Sequence, residues 1–180
     1  MPDSVWLYRI NDSLQDQLLK EVGKTFSEFK NTEQELTRLF QHLKYYDKTF
    51  TTPRVITLTN DVAYRDKVIV NDSLVLIALD NYLGPEHEFY QNISMYLAAN
   101  MKKNQIVVDI AEAYAKNYTY QSKRKTFLDE MIYSGKLLYF KDVMIPFKTD
   151  AEKIGYSESQ IEWAFRCIKR LNPFLHKGSK

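Results

Sequence analysis

Between residues 67 and 79 the chain carries two apolar runs, Lys67-Val68-Ile69-Val70 and Ser73-Leu74-Val75-Leu76-Ile77-Ala78-Leu79, parted only by Asn71-Asp72. Asn and Asp side chains bond to nearby backbone and tolerate turn conformations, so the segment reads as a β-hairpin. The second run holds no polar residue from Leu74 to Leu79, the pattern expected of a central strand covered on both faces. Such a strand needs neighbours. Arg54-Val55-Ile56-Thr57-Leu58-Thr59, which follows the break at Thr51-Thr52-Pro53, is β-branched enough to supply one.

The cover has to come from helices, and most of the remaining chain has helical spacing. From Asp12, a candidate cap, Leu14, Leu18, Leu19, Val22, Phe26 and Phe29 recur on one face. Thr32-Glu33-Gln34-Glu35 has the form of a capping box ahead of Leu36, Leu39, Phe40, Leu43 and Tyr46, and the two helices are expected to pair as a hairpin. After Gly84-Pro85 a helix carrying Tyr90, Ile93, Tyr96 and Leu97 on one face is predicted, then another from about Gln105 to Tyr118. The longest pattern runs from near Lys125 to Ile145, where Pro146 stops it. Gly135 inside it points to close packing against a neighbour, since glycine costs a helix about 1 kcal/mol against alanine. Thr149-Asp150-Ala151-Glu152 and Ser157-Glu158-Ser159-Gln160 are capping boxes that open two short helices. The expectation is an α+β fold, predominantly helical, with a small sheet of strands near 54–59, 67–70 and 73–79. Residues 1–164 form a single domain, and 165–180 read as an atypical, flexible tail.

Several function classes lack their chemistry here. A net charge of +2 with interspersed signs offers no basic stripe to nucleic acid or to anionic lipid. One cysteine, Cys167, allows neither an internal disulfide nor a Cys-rich zinc site, and no histidine is close to it in sequence to make it a nucleophile. The three histidines, His42, His87 and His176, are far apart, and Gln91 stands where a second ligand to a metal bound by His87 would fall. No phosphate-binding glycine loop and no Gly-x-Ser-x-Gly elbow occurs. Asn11, Asn71, Asn92 and Asn117 head glycosylation sequons, which carry meaning only in a eukaryotic secretory setting. The one constellation with chemical content joins Asp109 and Glu112, three apart on a helix, with Asp80 as an acid/base or metal cluster. The plainer reading is a polar helix edge facing water. The thirteen tyrosines and ten phenylalanines are mostly phased with the apolar faces and read as core rather than as a contact surface.

Val68 to Leu74 and Ile77 to Pro85 resemble the signature segment of GldB, the gliding-motility lipoprotein family of Bacteroidetes. Asp3 to Trp6, Leu39 to Tyr46, Val108 to Tyr114, Thr126 to Leu128 with Met131 to Tyr133, Gly135 to Tyr139 and Asp150 to Tyr156 are similar to it in the same order, so the resemblance covers about residues 3–164. It implies an exported cell-envelope lipoprotein, anchored through an N-terminal acylated cysteine that this chain does not carry, required for gliding and tied to the linked secretion machinery. Its partners would be other proteins of those assemblies. The resemblance further implies a zincin-like scaffold whose active helix falls near Gln105 to Tyr118. Val108-Asp109-Ile110-Ala111-Glu112 stands there without a histidine, so no enzyme activity, no cofactor and no catalytic or metal-binding residue is expected. A divergent hydrolase using Asp80, Asp109 or Glu112 is the alternative.

Overall fold

The structure, a computed structural model, describes residues 12–175, with side chains to Ile168. His176, the Asn11 sequon and the segment Asp3 to Trp6 lie outside the described residues.

The hairpin forms where Asn71 closes it. Its Oδ1 accepts the backbone N–H groups of Ser73 at 3.1 Å and Leu74 at 2.7 Å, joining β2 (Val68–Val70) to β3 (Leu74–Ala78). β1 (Arg54–Leu58) adds to the other side of β3 in parallel, giving the order β1-β3-β2. β3 is therefore central. Its two faces are unequal, against expectation. The register aligns Val55, Val75 and Val70 in one row and Thr57, Ile77 and Val68 in the next; Val75 and Ile77 are fully buried in the main core. On the opposite face Ile56, Leu76 and Ile69 align, and Ile69 and Leu58 are exposed. One face of the sheet carries the core and the other is only half covered. The apolar run was thus compatible with one-sided burial, because side chains alternate whatever their polarity.

The core face is covered by α4 (Ile106–Tyr118), which buries Ile106, Val107, Ile110 and Ala111. Around it lie α2 (Lys30–Tyr46), with Leu36, Leu39, Phe40 and Leu43 inward, and the C-terminal half of α5 (Phe127–Met144) with Met144. A second, smaller cluster of Tyr90, Ala98 and Met101 sits beside Val62 and Leu83.

α1 (Ser13–Thr25) starts as read, with Asp12 Oδ1 accepting from Leu14 N at 3.0 Å. It does not run along α2 as a hairpin. It lies against the Leu79–Asn81 turn, because Leu18 is buried there and Gln15 bonds to Thr59 and Asp61 beyond β1; Leu14 and Leu19 are left exposed. α2 begins at Lys30 without a side-chain cap, so Thr32 lies inside its first turn. Glu35 is not free to complete a capping box, being paired with Lys148 at 2.9 Å. The helix expected after Pro85 breaks into a 3₁₀ turn (Glu88–Tyr90) and the short α3 (Met95–Ala98). Tyr90 is turned inward at the break: its hydroxyl donates to Asp80 O at 2.6 Å and accepts from Leu83 N at 2.9 Å, while Tyr96 is exposed.

α5 opens with the Thr126–Asp129 capping box. A Cβ at Gly135 would meet nothing within 4 Å, so no close packing accounts for that glycine. α6 (Asp150–Ile154) carries the Thr149–Glu152 box. α7 (Glu158–Leu175) is opened by Ser157 and Gln160, which bond each other's backbone amides. It is not short, and the chain stays helical through Phe165 to Leu175, because Ile161, Ala164, Phe165 and Ile168 recur three and four apart and carry the apolar spacing past residue 164. Among the described residues no helix is long and apolar enough to cross a membrane.

Candidate functional site

The three carboxylates singled out in the sequence are not brought together. Asp80, fully buried in the turn after β3, faces the loop that follows β1. Its Oδ2 accepts the backbone N–H groups of Asn60 at 3.0 Å and Val62 at 2.8 Å. The neighbouring Asn81 donates from Nδ2 to Asn60 Oδ1 at 2.7 Å. These bonds hold two non-glycine residues, Asp61 and Val62, at φ of 57°, a left-handed conformation that disfavours a β-branched side chain by about 1–2 kcal/mol. Burial pushes the Asp80 carboxyl above its ordinary range, against the pull of the two amides. Asp80 clamps a strained turn.

Asp109 and Glu112 do share a face of α4, and they border a cleft of about 340 Å³ with Lys67, Lys153, Gly155 and Tyr156. Asp109 Oδ2 takes a hydrogen bond from the Tyr82 hydroxyl at 2.8 Å and an ion pair from Lys67 at 2.7 Å. Lys67 also stands 5.6 Å from the centre of the Tyr82 ring. Tyr82 is fully buried, and burial followed by the Asp109 charge pushes its hydroxyl far up, so it stays a donor. Glu112 pairs with Lys116 at 2.9 Å and with Lys141 at 3.3 Å. Burial alone would raise its pKa, but the two lysines outweigh it and hold the carboxyl below the usual range.

Lys141 is one of three buried lysines among the described residues. It also donates to the backbone carbonyl of Lys153. Lys153 reaches Asp142 at 2.9 Å, and Lys148 reaches Glu35 at 2.9 Å. The network ties α4, α5, α6 and α2 together. Nothing in the local sequence marks Lys67, Tyr82 or Lys141, since each finds its partner through the fold, whereas Lys148 and Lys153 also meet Glu152 and Asp150 one helical turn away.

Both oxygens of Glu112 and one of Asp109 are spent on cations and a hydroxyl, an arrangement suited to fixing helices rather than to proton transfer. His42 donates from Nδ1 to Met144 O at 2.8 Å. His87 lies 3.7 Å from Glu21 and accepts from Phe89 N. Among the described residues no group of three or more His, Cys, Asp or Glu could hold a metal ion.

At the rim of the cleft Gly155 ends α6 at φ of 80°, its carbonyl accepting from Asn100 Nδ2 at 3.0 Å. A Cβ there would stand 2.9 Å from Asn100 Nδ2. Gly155→Ala is therefore expected to cost about 1–2 kcal/mol in urea unfolding. Part of that cost should be recovered when Asn100→Ala makes room; an unchanged midpoint in the single variant would contradict the geometry.

No curated protein and no solved structure matches the chain. A family model does. It spans residues 1–169, and so takes in both the hairpin with its Asp80 turn and the α4 face with Asp109 and Glu112, as well as the first part of α7. The match covers nearly the whole chain, which belongs to the family of the gliding motility protein GldB.

Proposed function

We propose that this chain is a non-enzymatic, envelope-associated component of the gliding apparatus that works by binding proteins of that apparatus and of the secretion machinery linked to it. The observation that carries the reading is the first part of α5. Its apolar residues are spread around the helix rather than gathered on one core-facing stripe. Phe127, Leu128, Met131 and Ile132 are exposed, as is Tyr139 further along. Contiguous apolar surface of this kind marks contact sites for other proteins. The carboxylates of the cleft, engaged as they are by lysines and Tyr82, support a structural role for that region.

The test is complementation of a strain lacking the gene with the whole protein carrying Phe127→Glu and Met131→Glu. Both side chains project into solvent, so the variant should accumulate in the envelope at wild-type level. Spreading is expected to be lost, and cross-linking to gliding or secretion proteins to fall about tenfold or more, as for removal of a central apolar contact. Wild-type spreading would overturn the proposal. A stoichiometric transition metal in the purified protein would favour the hydrolase reading instead.

A further inference from the structure

β2 stands at an edge of the sheet, so one side of its backbone has no neighbouring strand. Asn71 N donates to Leu74 O and Ala78 N to Lys67 O, both at 2.9 Å. Bonded residues alternate along an antiparallel ladder, and Val68 lies opposite Ile77 with Val70 opposite Val75. Lys67, Ile69 and Asn71 therefore turn their backbone groups toward β3, and Val68 and Val70 turn theirs away from it. Among the described residues no hydrogen bond reaches the backbone N–H or C=O of Val68 or Val70. A strand edge left open in this way is a template for pairing with another chain.

Both residues line a groove of about 440 Å³ between β2 and α4. Its other wall is made by Asp109, Glu112, Ala113 and Lys116, which recur three and four apart on one face of α4. The lining carries an excess of positive charge. Asp109 is held by Lys67, and Glu112 by Lys116 and Lys141, so both carboxylates of the groove are already engaged. Arg65, in the 3₁₀ turn Tyr64–Asp66 just before β2, is exposed and also lines the groove. Its guanidinium stands 6.0 Å from the centre of the Tyr64 ring, and no carboxylate among the described residues pairs with it.

We propose that this groove takes an extended segment of a partner protein, which adds to the three-stranded sheet along β2 as an antiparallel strand and carries a carboxylate beside Arg65. An extended backbone offers donors and acceptors at the two-residue spacing of Val68 and Val70. Residues of the segment opposite those two would exchange paired hydrogen bonds with them and point toward α4, where Ala113 leaves room for small side chains. The residue between would lie against Ile69, which is 51% exposed on the open face, so an apolar side chain there gains a cross-strand contact. In the antiparallel direction the segment's C-terminal end falls on the Val68 side, and the carboxylate belongs at that end. A second copy of this chain joined through its own β2 would bring the same positive excess to the seam, which makes a segment of opposite charge the better occupant. The surface is separate from the exposed stretch of α5 and does not depend on it.

The test is selection of random displayed heptapeptides on the whole protein, followed by synthesis of the strongest binder capped at both ends. The bound peptide should slow hydrogen exchange at the amides of Val68 and Val70 about tenfold or more, while that of Ile69, already bonded to β3, changes little. Within the paired stretch, methylating alternate peptide amides should abolish binding and methylating the intervening ones should leave it. Val70→Pro removes an outward N–H that the ladder does not use, and should weaken binding about tenfold or more; the methylation scan needs no variant and decides the matter should this one fail to fold. Arg65→Glu, at an exposed position, is expected to weaken binding about fivefold. Failure to enrich any heptapeptide, protection confined to residues 127–132, a methylation scan without alternation, or equal affinity in Val70→Pro or Arg65→Glu would each overturn the proposal. So would concentration-dependent dimers of the free protein that protect Val68 and Val70, which would give the edge to a second copy.

Discussion

Asp80→Ala is expected to destabilise the protein by about 2–4 kcal/mol, since it removes a charged acceptor from two amides, each loss being worth roughly 1–3 kcal/mol. Relaxation of the strained Asp61–Val62 turn returns part of the loss, which keeps the estimate below the simple sum. The amides of Asn60 and Val62 should lose protection from hydrogen exchange together, because one oxygen holds both. Asp80→Asn keeps an acceptor oxygen and should fall between the two. The pH trend is specific. Burial raises the carboxyl's pKa in the folded state, so its contribution is full below the unfolded value of about 3.9 and declines as pH rises through the folded one. The gap between wild type and Asp80→Ala should therefore widen in mild acid. Chemical unfolding between neutral pH and the carboxylate range measures it, and a gap below about 1 kcal/mol throughout would contradict the clamp.

Lys141→Ala should cost about 2–3 kcal/mol at neutral pH. A buried charge pair that loses one member costs roughly 3–5 kcal/mol, but Glu112 is partly exposed and retains Lys116, which places this case lower. The carbonyl of Lys153 also loses its donor. Here the pH trend is reversed. The folded-state pKa of Glu112 is lowered, so its contribution is present above the unfolded value of about 4.3 and lost as pH falls through the folded one. The gap between wild type and Lys141→Ala should shrink in acid, whereas that of Asp80→Ala widens. Lys116→Ala, at an exposed pair on the same helix, should cost no more than about 0.5 kcal/mol. A Lys141→Ala variant as stable as Lys116→Ala would contradict the buried network.

What the sequence disclosed was local. Asn71 sits two and three residues from the amides it captures, and the spacing of α4 and α5 repeats over several turns, so the hairpin and these helices could be read directly. So could Thr149 and Ser157 as caps, whose partners lie three residues on. The Thr32 box failed because Glu35 is claimed by Lys148, more than a hundred residues away, and the helix after Pro85 failed because Tyr90 is claimed by the Asp80 turn. The same limit applies to the sites. Asp109 and Glu112 were found by their spacing, but not Lys67 or Tyr82, which meet Asp109 only across the sheet. Asp80 was grouped with them on residue type alone, and the fold turns it toward β1. The aromatic load read as core is divided: Phe40, Tyr82 and Tyr114 are buried, while Phe127 and Tyr139 stand in solvent.

The strand order has a kinetic consequence. β2 meets β3 across a turn that Asn71 closes by itself, so this half of the sheet can form on the microsecond timescale of isolated hairpins. β1 pairs with β3 in parallel at a constant offset of twenty positions, Arg54 against Leu74 through Leu58 against Ala78. It must therefore wait for the intervening chain to close, and the closure entropy is repaid only once contacts form on both sides. Asp80 lies at the end of β3 and grips the chain just beyond β1. Its capture of Asn60 and Val62 thus doubles as a latch that sets the parallel register, and the hairpin becomes the template on which β1 is the last strand laid down.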